Sequence, residues 1–293
     1  MKLFKGFEEI VEKDKPLASL TTFRLGGPAD YFIVPQNEDQ LRGVLERAAQ
    51  TDLPIRVLGN GSNVLVSDEG VRGVVIQLSP KGFGGLSVTE DLVRAGASLS
   101  LAGLVRGAAE AHLSGLEPLV GIPGWVGGAV RMNAGGKFGD IGQVVERVKV
   151  MDTKGQSFYR ERDDLAFGYR TSNISARFVL EAELRLTADS ERRISHLMKE
   201  VWITKKNSQP MANRSAGCVF KNPRGLSAGA LIDQVGLKGT RVGGASVSRK
   251  HANYIVAGKE CTAKDVRDLI ELVRKKVHER TETFLELELE VWT

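Results

Sequence analysis

Histidine and cysteine are scarce in this chain. Four histidines (His112, His196, His251, His278) and two cysteines (Cys218, Cys261) are spread over 293 residues. No HExxH, CxxC or Cys/His cluster occurs, so neither structural zinc nor a disulfide framework is expected, and no metal. So few cysteines suit a reducing, cytoplasmic setting. Long apolar runs are absent too. The longest weakly polar stretch, Leu119 to Val130, is broken by Gly and Pro and is too short to span a bilayer. The first fifteen residues mix lysines with Glu8, Glu9 and Glu12 and have no apolar core, so no signal peptide and no membrane partner are expected. The phosphate-loop patterns are missing as well. Gly59 and Gly61 are followed by Val64 where G-x-G-x-x-G needs a third Gly, and Gly136-Lys137 is followed by Phe138, which excludes a Walker A loop. Gly-x-Ser-x-Gly is absent, which argues against an α/β-hydrolase.

What is abundant is glycine. It supplies 33 of 293 residues, about 11% against roughly 7% in average usage. With 42% hydrophobic and 26% charged residues the composition is that of a globular protein, and the length suits about two domains. The glycines follow no short repeat, so tight turns and close backbone approach are their expected use.

Charge is uneven. The net is +5, yet Arg192 to Arg224 alone holds eight cations against Glu200. Between positions 279 and 290 the balance reverses, with Glu279, Glu282, Glu286, Glu288 and Glu290 facing Arg280. A local basic segment amid Gly and Pro suits a pocket for a compact anion, though a solvated cationic face has the same composition. It carries only Trp202 and Phe220 as aromatics, a poor match to a nucleic-acid surface, so no nucleic-acid partner is expected.

Periodicity predicts mixed helices and strands. Helical spacing marks Glu38 to Gln50, Leu99 to His112, Ser190 to Lys206, Leu226 to Val235 and Ala263 to Arg280, the last capped by Thr262. Strands are expected at Tyr31 to Pro35, Ile55 to Leu58, Val64 to Ser67, Gly73 to Leu78, Leu92 to Ala95, Val144 to Asp152, Phe178 to Leu186 and Tyr254 to Val256. A closing strand is expected at 284–291, where Leu285, Leu287, Leu289 and Val291 alternate with three glutamates. The turn to basic, helical composition puts a domain boundary near residues 187–205.

Several segments could carry chemistry. Gly59-Asn60-Gly61-Ser62-Asn63 follows a strand, and its successive N–H groups can cradle a pyrophosphate, although a hairpin turn would use the same residues. Gly121-Ile122-Pro123-Gly124, Gly127-Gly128 and Asn133-Ala134-Gly135 bring backbone close to a flat ligand or, equally, pack a helix against a loop. Cys218 sits in a glycine-flanked turn beside cations, where a lone Cys is most often inert. Arg170 follows Tyr169 and could form a carboxylate fork or a structural ion pair. Spacing alone does not choose among Glu286, Glu288 and Glu290.

In this order, these segments resemble the UDP-N-acetylenolpyruvoylglucosamine reductase family. The similarity runs from about Leu20 to Leu289 and includes Thr21–Gly27, Gly59–Asn63, Gly121–Gly136, Tyr169-Arg170, Ala216–Pro223, Gly239–Ala245 and Lys250–Asn253. The resemblance implies an α+β protein: a two-lobed FAD-binding module of the vanillyl-alcohol-oxidase/PCMH type plus a smaller α/β C-terminal substrate domain. Residues 17–190 would bind FAD, with lobes at about 17–80 and 81–190. Residues 204–293 would bind substrate, and the closing strand 284–291 would carry a catalytic Glu. It also implies that NADPH reduces FAD, which passes a hydride to the enolpyruvyl methylene of UDP-N-acetylglucosamine enolpyruvate in peptidoglycan precursor synthesis.

By the same resemblance Arg170 stabilises charge growing on the enolpyruvyl carboxylate, Cys218 gives the proton, and Glu288 is the catalytic carboxylate. Gly59 to Asn63, Gly121 to Gly124, Gly127, Gly128 and Asn133 to Gly135 would hold FAD. Lys205, Lys206, Lys221 and Asn222 would grip the substrate, and the chain would act as a monomer. Three features depart from the common pattern. Cys218 stands where the donor is usually Ser, and Ser208 lies near where relatives often carry Lys. No Tyr occurs between Tyr169 and Tyr254, which suits the shorter branch without a tyrosine-bearing loop. A related flavin-dependent hydroxy-acid or alcohol oxidase is the nearest rival reading, since fold does not fix function.

Overall fold

A computed structural model describes residues 3–293, and they form two compact units. The first comprises the described residues up to Lys13 with Tyr31–Asn60 and Gly73–Lys205; the second comprises Asp14–Asp30, Gly61–Arg72 and Lys206–Thr293. Most predicted elements are present, with ends shifted by up to about three residues, the usual uncertainty for frayed termini. Among the described residues no helix is long and apolar enough to cross a membrane.

In the first unit, the helices form because capping and periodicity agree. Asn37 caps Glu38–Ala48 by accepting from the Gln40 amide, and Leu41, Val44, Leu45 and Ala48 are buried at i, i+3, i+4 and i+7. Ser100 caps Leu101–Glu110 in the same way, burying Leu101, Leu104, Val105 and Ala108. These apolar faces join one core with the strands. A four-stranded sheet runs in the order Val11–Pro16, Pro28–Ile33, Val71–Ile76, Ile55–Val57. A five-stranded antiparallel sheet runs Ser157–Glu161, Val145–Met151, Phe178–Arg185, Leu92–Gly96, Leu86–Thr89. The edge strands Leu86–Thr89 and Ser157–Glu161 lie outside the predicted set. Their residues are mostly exposed; Leu86–Thr89 alternates over only four residues and Ser157–Glu161 does not alternate, so neither stands out as a strand.

Glu183, in the strand Phe178–Arg185, is buried (side chain 3% exposed). The register sets it opposite Arg94 on one neighbour and Arg147 on the other, and it accepts from Arg147 Nε at 2.6 Å and Arg94 Nη2 at 2.6 Å. Hydrogen bonding by Arg147, and after it Arg94, holds its carboxyl below the ordinary 4.5 against the opposing effect of burial. We expect Glu183→Gln to lower stability by about 2 kcal/mol. That is below the roughly 3–5 kcal/mol for breaking a fully buried pair, because Arg94 and Arg147 stay 47% and 32% exposed. The wild-type advantage is complete above pH 4.5 and disappears as pH falls through the depressed native value. Denaturant unfolding of both proteins across that range checks it.

The second unit has its own core. Phe23, Leu25 and Leu65 pack with Val219, Phe220, Ile232, Val266, Ile270 and Leu289, so two early segments fold with residues from 206 onward. The helix Ala263–Thr281 starts at a reciprocal capping box between Thr262 and Asp265. Asp68 adds a carboxylate at the same end, accepting from Ala263 N at 2.8 Å and Lys264 N at 2.9 Å. A three-stranded sheet runs Arg241–Val242, Ala245–Val247, Ile255–Ala257. Gly70 closes a turn at φ +85°, and a Cβ there would sit 1.9 Å from Pro28 O, so only glycine fits.

The closing strand is shorter than the expected 284–291. Regular pairing covers Glu290–Trp292, which lies parallel to Val64–Val66. Upstream, Leu287 makes a single antiparallel bridge to Phe220. The reason is a local bulge: Val219 O accepts from both Glu288 N (2.9 Å) and Leu289 N (3.3 Å). Two residues oppose one, and the ladder breaks at Glu288.

Candidate active site

The predicted site residues fall in both units. In the first, Gly59 lies two residues past the strand Ile55–Val57, and its carbonyl accepts from Gln77 Nε2 at 2.7 Å. Asn60 follows it and is exposed. Gly121 and Gly124 adopt φ +76° and +147°, conformations that glycine takes freely. Ile122 is half-buried and Pro123 is exposed. The loop then enters the helix Val126–Arg131. The paired glycines there differ. A Cβ on Gly127 would press on Ala97 Cβ at 3.0 Å, so packing explains it. A Cβ on Gly128 or Gly59 would meet nothing within 4 Å. Bare backbone facing open space at these two positions fits a large group lying against the chain.

Arg170 is set by its own hairpin. Phe167–Gly168 pairs with Thr171–Ser172, which makes Tyr169-Arg170 a two-residue turn. Arg170 adopts φ +55°, a left-handed conformation that costs a non-glycine residue roughly 1–2 kcal/mol and is characteristic of functional sites. Its Nη1 donates to Gly135 O at 3.0 Å. Asn133, buried and itself at φ +46°, fixes both neighbours: Nδ2 donates to Gly168 O and Oδ1 accepts from Gly142 N, each at 2.9 Å. The half-buried Ala134 takes part through its main chain, its amide donating to Ala129 O at 2.7 Å. Arg131 holds the segment that follows the hairpin, donating to the carbonyls of Ile174, Ala176 and Arg177. No sequence signal marks it, because its partners are main-chain atoms.

Lys205 is buried, and its ammonium donates to Pro118 O at 2.8 Å and Val120 O at 2.7 Å, just before Gly121. Of three N–H donors one is left. Burial, and then the charge of Arg170, push it down to about 8. Burying this cation costs stability below pH 8, and the cost is relieved as pH rises from there.

In the second unit Gly61 takes φ +63°, and a Cβ would lie 2.0 Å from Leu20 O. Thr22 donates to its carbonyl through both N and Oγ1. Ser62 is half-buried. Asn63 reaches across 225 residues of sequence: Nδ2 donates to Glu288 O at 3.0 Å, and its carbonyl accepts from Glu290 N. Cys218 and Glu288 flank Val219, which accepts the Glu288 amide, and both are half-buried. A thiol and a carboxylate thus sit on adjoining segments of one irregular ladder. Nearby, Lys221 pairs with Glu286 at 3.6 Å. Asn222 is exposed, and its Oδ1 accepts from Ala228 N at 3.0 Å, capping the next helix. Lys206 is exposed, and its carbonyl accepts from Lys250 Nζ. Cys261 is buried and pushed up to about 11, by burial first and by Asp265 second. Among the described residues no group of metal-ligating side chains is placed to hold an ion.

Two family models match the chain. Residues 29–158 match the model of an FAD binding domain. Residues 209–292 match the C-terminal domain of UDP-N-acetylenolpyruvoylglucosamine reductase. The chain is 41% identical over 292 residues to that reductase from Moorella thermoacetica, covering 99% of this chain and 96% of the relative. It is 38% identical over 284 residues to the one from Bacillus velezensis, covering 96% and 93%. The crystal structure of UDP-N-acetylenolpyruvylglucosamine reductase from Thermus caldophilus superimposes with a TM-score of 0.84 at 42% identity, covering 97% of this chain and 99% of that one.

The fold and its matches define a flavoprotein oxidoreductase, with an FAD-binding domain and a C-terminal domain. More narrowly, the chain belongs to the UDP-N-acetylenolpyruvoylglucosamine reductase family. The open backbone at Gly59 and Gly128 suits FAD, whose isoalloxazine and pyrophosphate both need close backbone approach.

Proposed function

We propose that this protein consumes NADPH to reduce the enolpyruvyl group of UDP-N-acetylglucosamine enolpyruvate, giving UDP-N-acetylmuramate for peptidoglycan. Likeness to reductases of that name along nearly the whole chain carries the reading. The adjacency of Cys218 and Glu288 about Val219 supports it. Residues 17–190 hold the cofactor through Gly59–Asn63, Gly121–Gly124, Gly127, Gly128 and Asn133–Gly135, and residues 204–293 take the nucleotide.

FAD, when bound, supplies the hydride that the enolpyruvyl methylene carbon accepts. Arg170 sets its guanidinium where negative charge grows on the carboxylate, which lowers the barrier because the cation is already oriented. Cys218 gives its Sγ proton to the carbon beside that carboxylate. Glu288 is the catalytic carboxylate, and its amide donates to Val219 O beside Cys218. Lys221, Asn222, Lys206 and the remaining N–H of Lys205 grip the anionic parts of the nucleotide. The protein works as a cytoplasmic monomer with no nucleic-acid partner.

The purified protein is expected to be yellow, to bleach with NADPH under anaerobic conditions, and to recover its colour on adding the enolpyruvyl nucleotide. A colourless protein, or colour that the nucleotide does not restore, refutes the reading. Gly128→Leu should leave the unfolding midpoint of the apoprotein within a few degrees, since a Cβ there meets nothing within 4 Å. Its flavin content, read from the visible spectrum, should fall at least tenfold.

A further inference from the structure

The segment that carries Cys218 is held on one edge by its bridge to Tyr254 and, one residue further back on that partner, by Asn253. Asn253 is 3% exposed. Its Oδ1 accepts from Phe220 N at 2.9 Å and its Nδ2 donates to Phe220 O at 2.8 Å. Its own carbonyl accepts from Val219 N at 2.9 Å. A primary amide offers the same donor and acceptor as a peptide group, so this side chain substitutes for the neighbouring strand that Phe220 lacks there. The opposite edge is held by the ladder that carries Glu288: Lys221 N donates to Glu286 O, and Val219 O accepts from Glu288 N.

Upstream of Cys218 the segment is held again, where Ala257 N donates to Arg214 O at 2.9 Å. Between these contacts Gly217 adopts φ +77° with nothing within 4 Å of a Cβ position. The clamp is itself braced. Asn253 N donates to His251 Nδ1 at 3.3 Å, which requires that nitrogen to be unprotonated. Burial, and after it Lys238, lower the His251 pKa and keep it so. Ser248 Oγ accepts from Lys250 N and His251 N, and Ser248 N donates to Tyr254 O.

We propose that Asn253 is a positioning residue for proton transfer, fixing where the Cys218 thiol stands relative to Glu288. The proposal rests on the reading that Cys218 is the proton donor. It acts after the cofactor has been reduced, so its loss splits the two half-reactions. The side-chain amide has no part in NADPH oxidation, whereas a thiol whose segment has lost the clamp on Phe220 spends less time aligned with the carbon it protonates.

The test is stopped-flow kinetics on the holoenzyme, with NADPH bleaching and nucleotide-dependent reoxidation measured separately. In Asn253→Ala, bleaching should stay within twofold of wild type. Reoxidation should slow at least tenfold with a larger solvent deuterium isotope effect, while KM for the nucleotide moves less than threefold. Asn253→Asp provides a second reading. Its buried carboxyl, when protonated, again offers one donor and one acceptor to Phe220, so reoxidation relative to wild type should rise at least threefold as pH is lowered from 8 to 6. Equal slowing of both half-reactions, an unchanged isotope effect, or failure of both variants to fold with flavin overturns the assignment. If wild type itself is not reoxidised by the nucleotide, the functional reading fails instead; if wild type is active and Asn253→Ala matches it, only the role of Asn253 fails.

Discussion

Cys218→Ala is expected to lower turnover by about 10²- to 10⁴-fold, the range for losing a positioned general acid, and to leave NADPH-driven bleaching unchanged. Cys218 lies in the second unit on the segment bridged to Tyr254, and its side chain is half-buried, so truncation costs little packing. Cys218→Ser should keep most of the activity. A thiol ordinarily titrates near 8.5 and an alcohol far higher, yet either donates once the adjoining carbon has become strongly basic. The two donors differ in another way. Wild type should lose activity to iodoacetamide in proportion to alkylation, and Cys218→Ser should resist it. An alanine variant with normal reoxidation removes Cys218 from the mechanism.

Arg170→Asn is expected to cost about 10²- to 10³-fold in reoxidation by the nucleotide, the scale for removing one preorganised charge-stabilising donor. Stability should scarcely change, because two effects of similar size oppose each other. Asn tolerates the left-handed backbone at φ +55°, which relieves about 1 kcal/mol of strain. It also gives up the hydrogen bond to Gly135 O, worth about 1 kcal/mol. Paired measurements of unfolding midpoint and reoxidation rate check this. A loss of stability of several kcal/mol would make Arg170 structural rather than catalytic. Arg170→Lys should recover little, since a point charge cannot keep the Gly135 contact and face a carboxylate as a guanidinium fork can.

Much of the fold was legible where local signals agreed. Asn37, Ser100 and Thr262 each cap a helix whose apolar positions recur at helical spacing. The central strands Val145–Met151 and Phe178–Arg185 carry buried β-branched and aromatic residues. The exposed edge strands had no such pattern. Long-range partners escaped for a different reason. Nothing local says that Phe23 and Leu65 pack with Phe220 and Leu289, nor that Asn63 donates to Glu288 O.

The site was legible as residue types and motif order, less so as geometry. Lys205 reads as a free cation in a basic run, but it is buried against Pro118 and Val120, and sequence holds no sign of carbonyl partners. Of the many glycines, only coordinates separate Gly127, needed for packing, from Gly128, which faces open space.

The parallel pairing of Glu290–Trp292 with Val64–Val66 has a consequence for biogenesis. Closing a loop of more than two hundred residues is entropically slow, and the early segments of the second unit wait for partners made last. During synthesis the first unit can mature on the ribosome while Phe23 and Leu65 remain uncovered until residue 292 emerges. Truncating the chain just before Glu290 should therefore leave a nascent species prone to aggregate, with its first unit already folded.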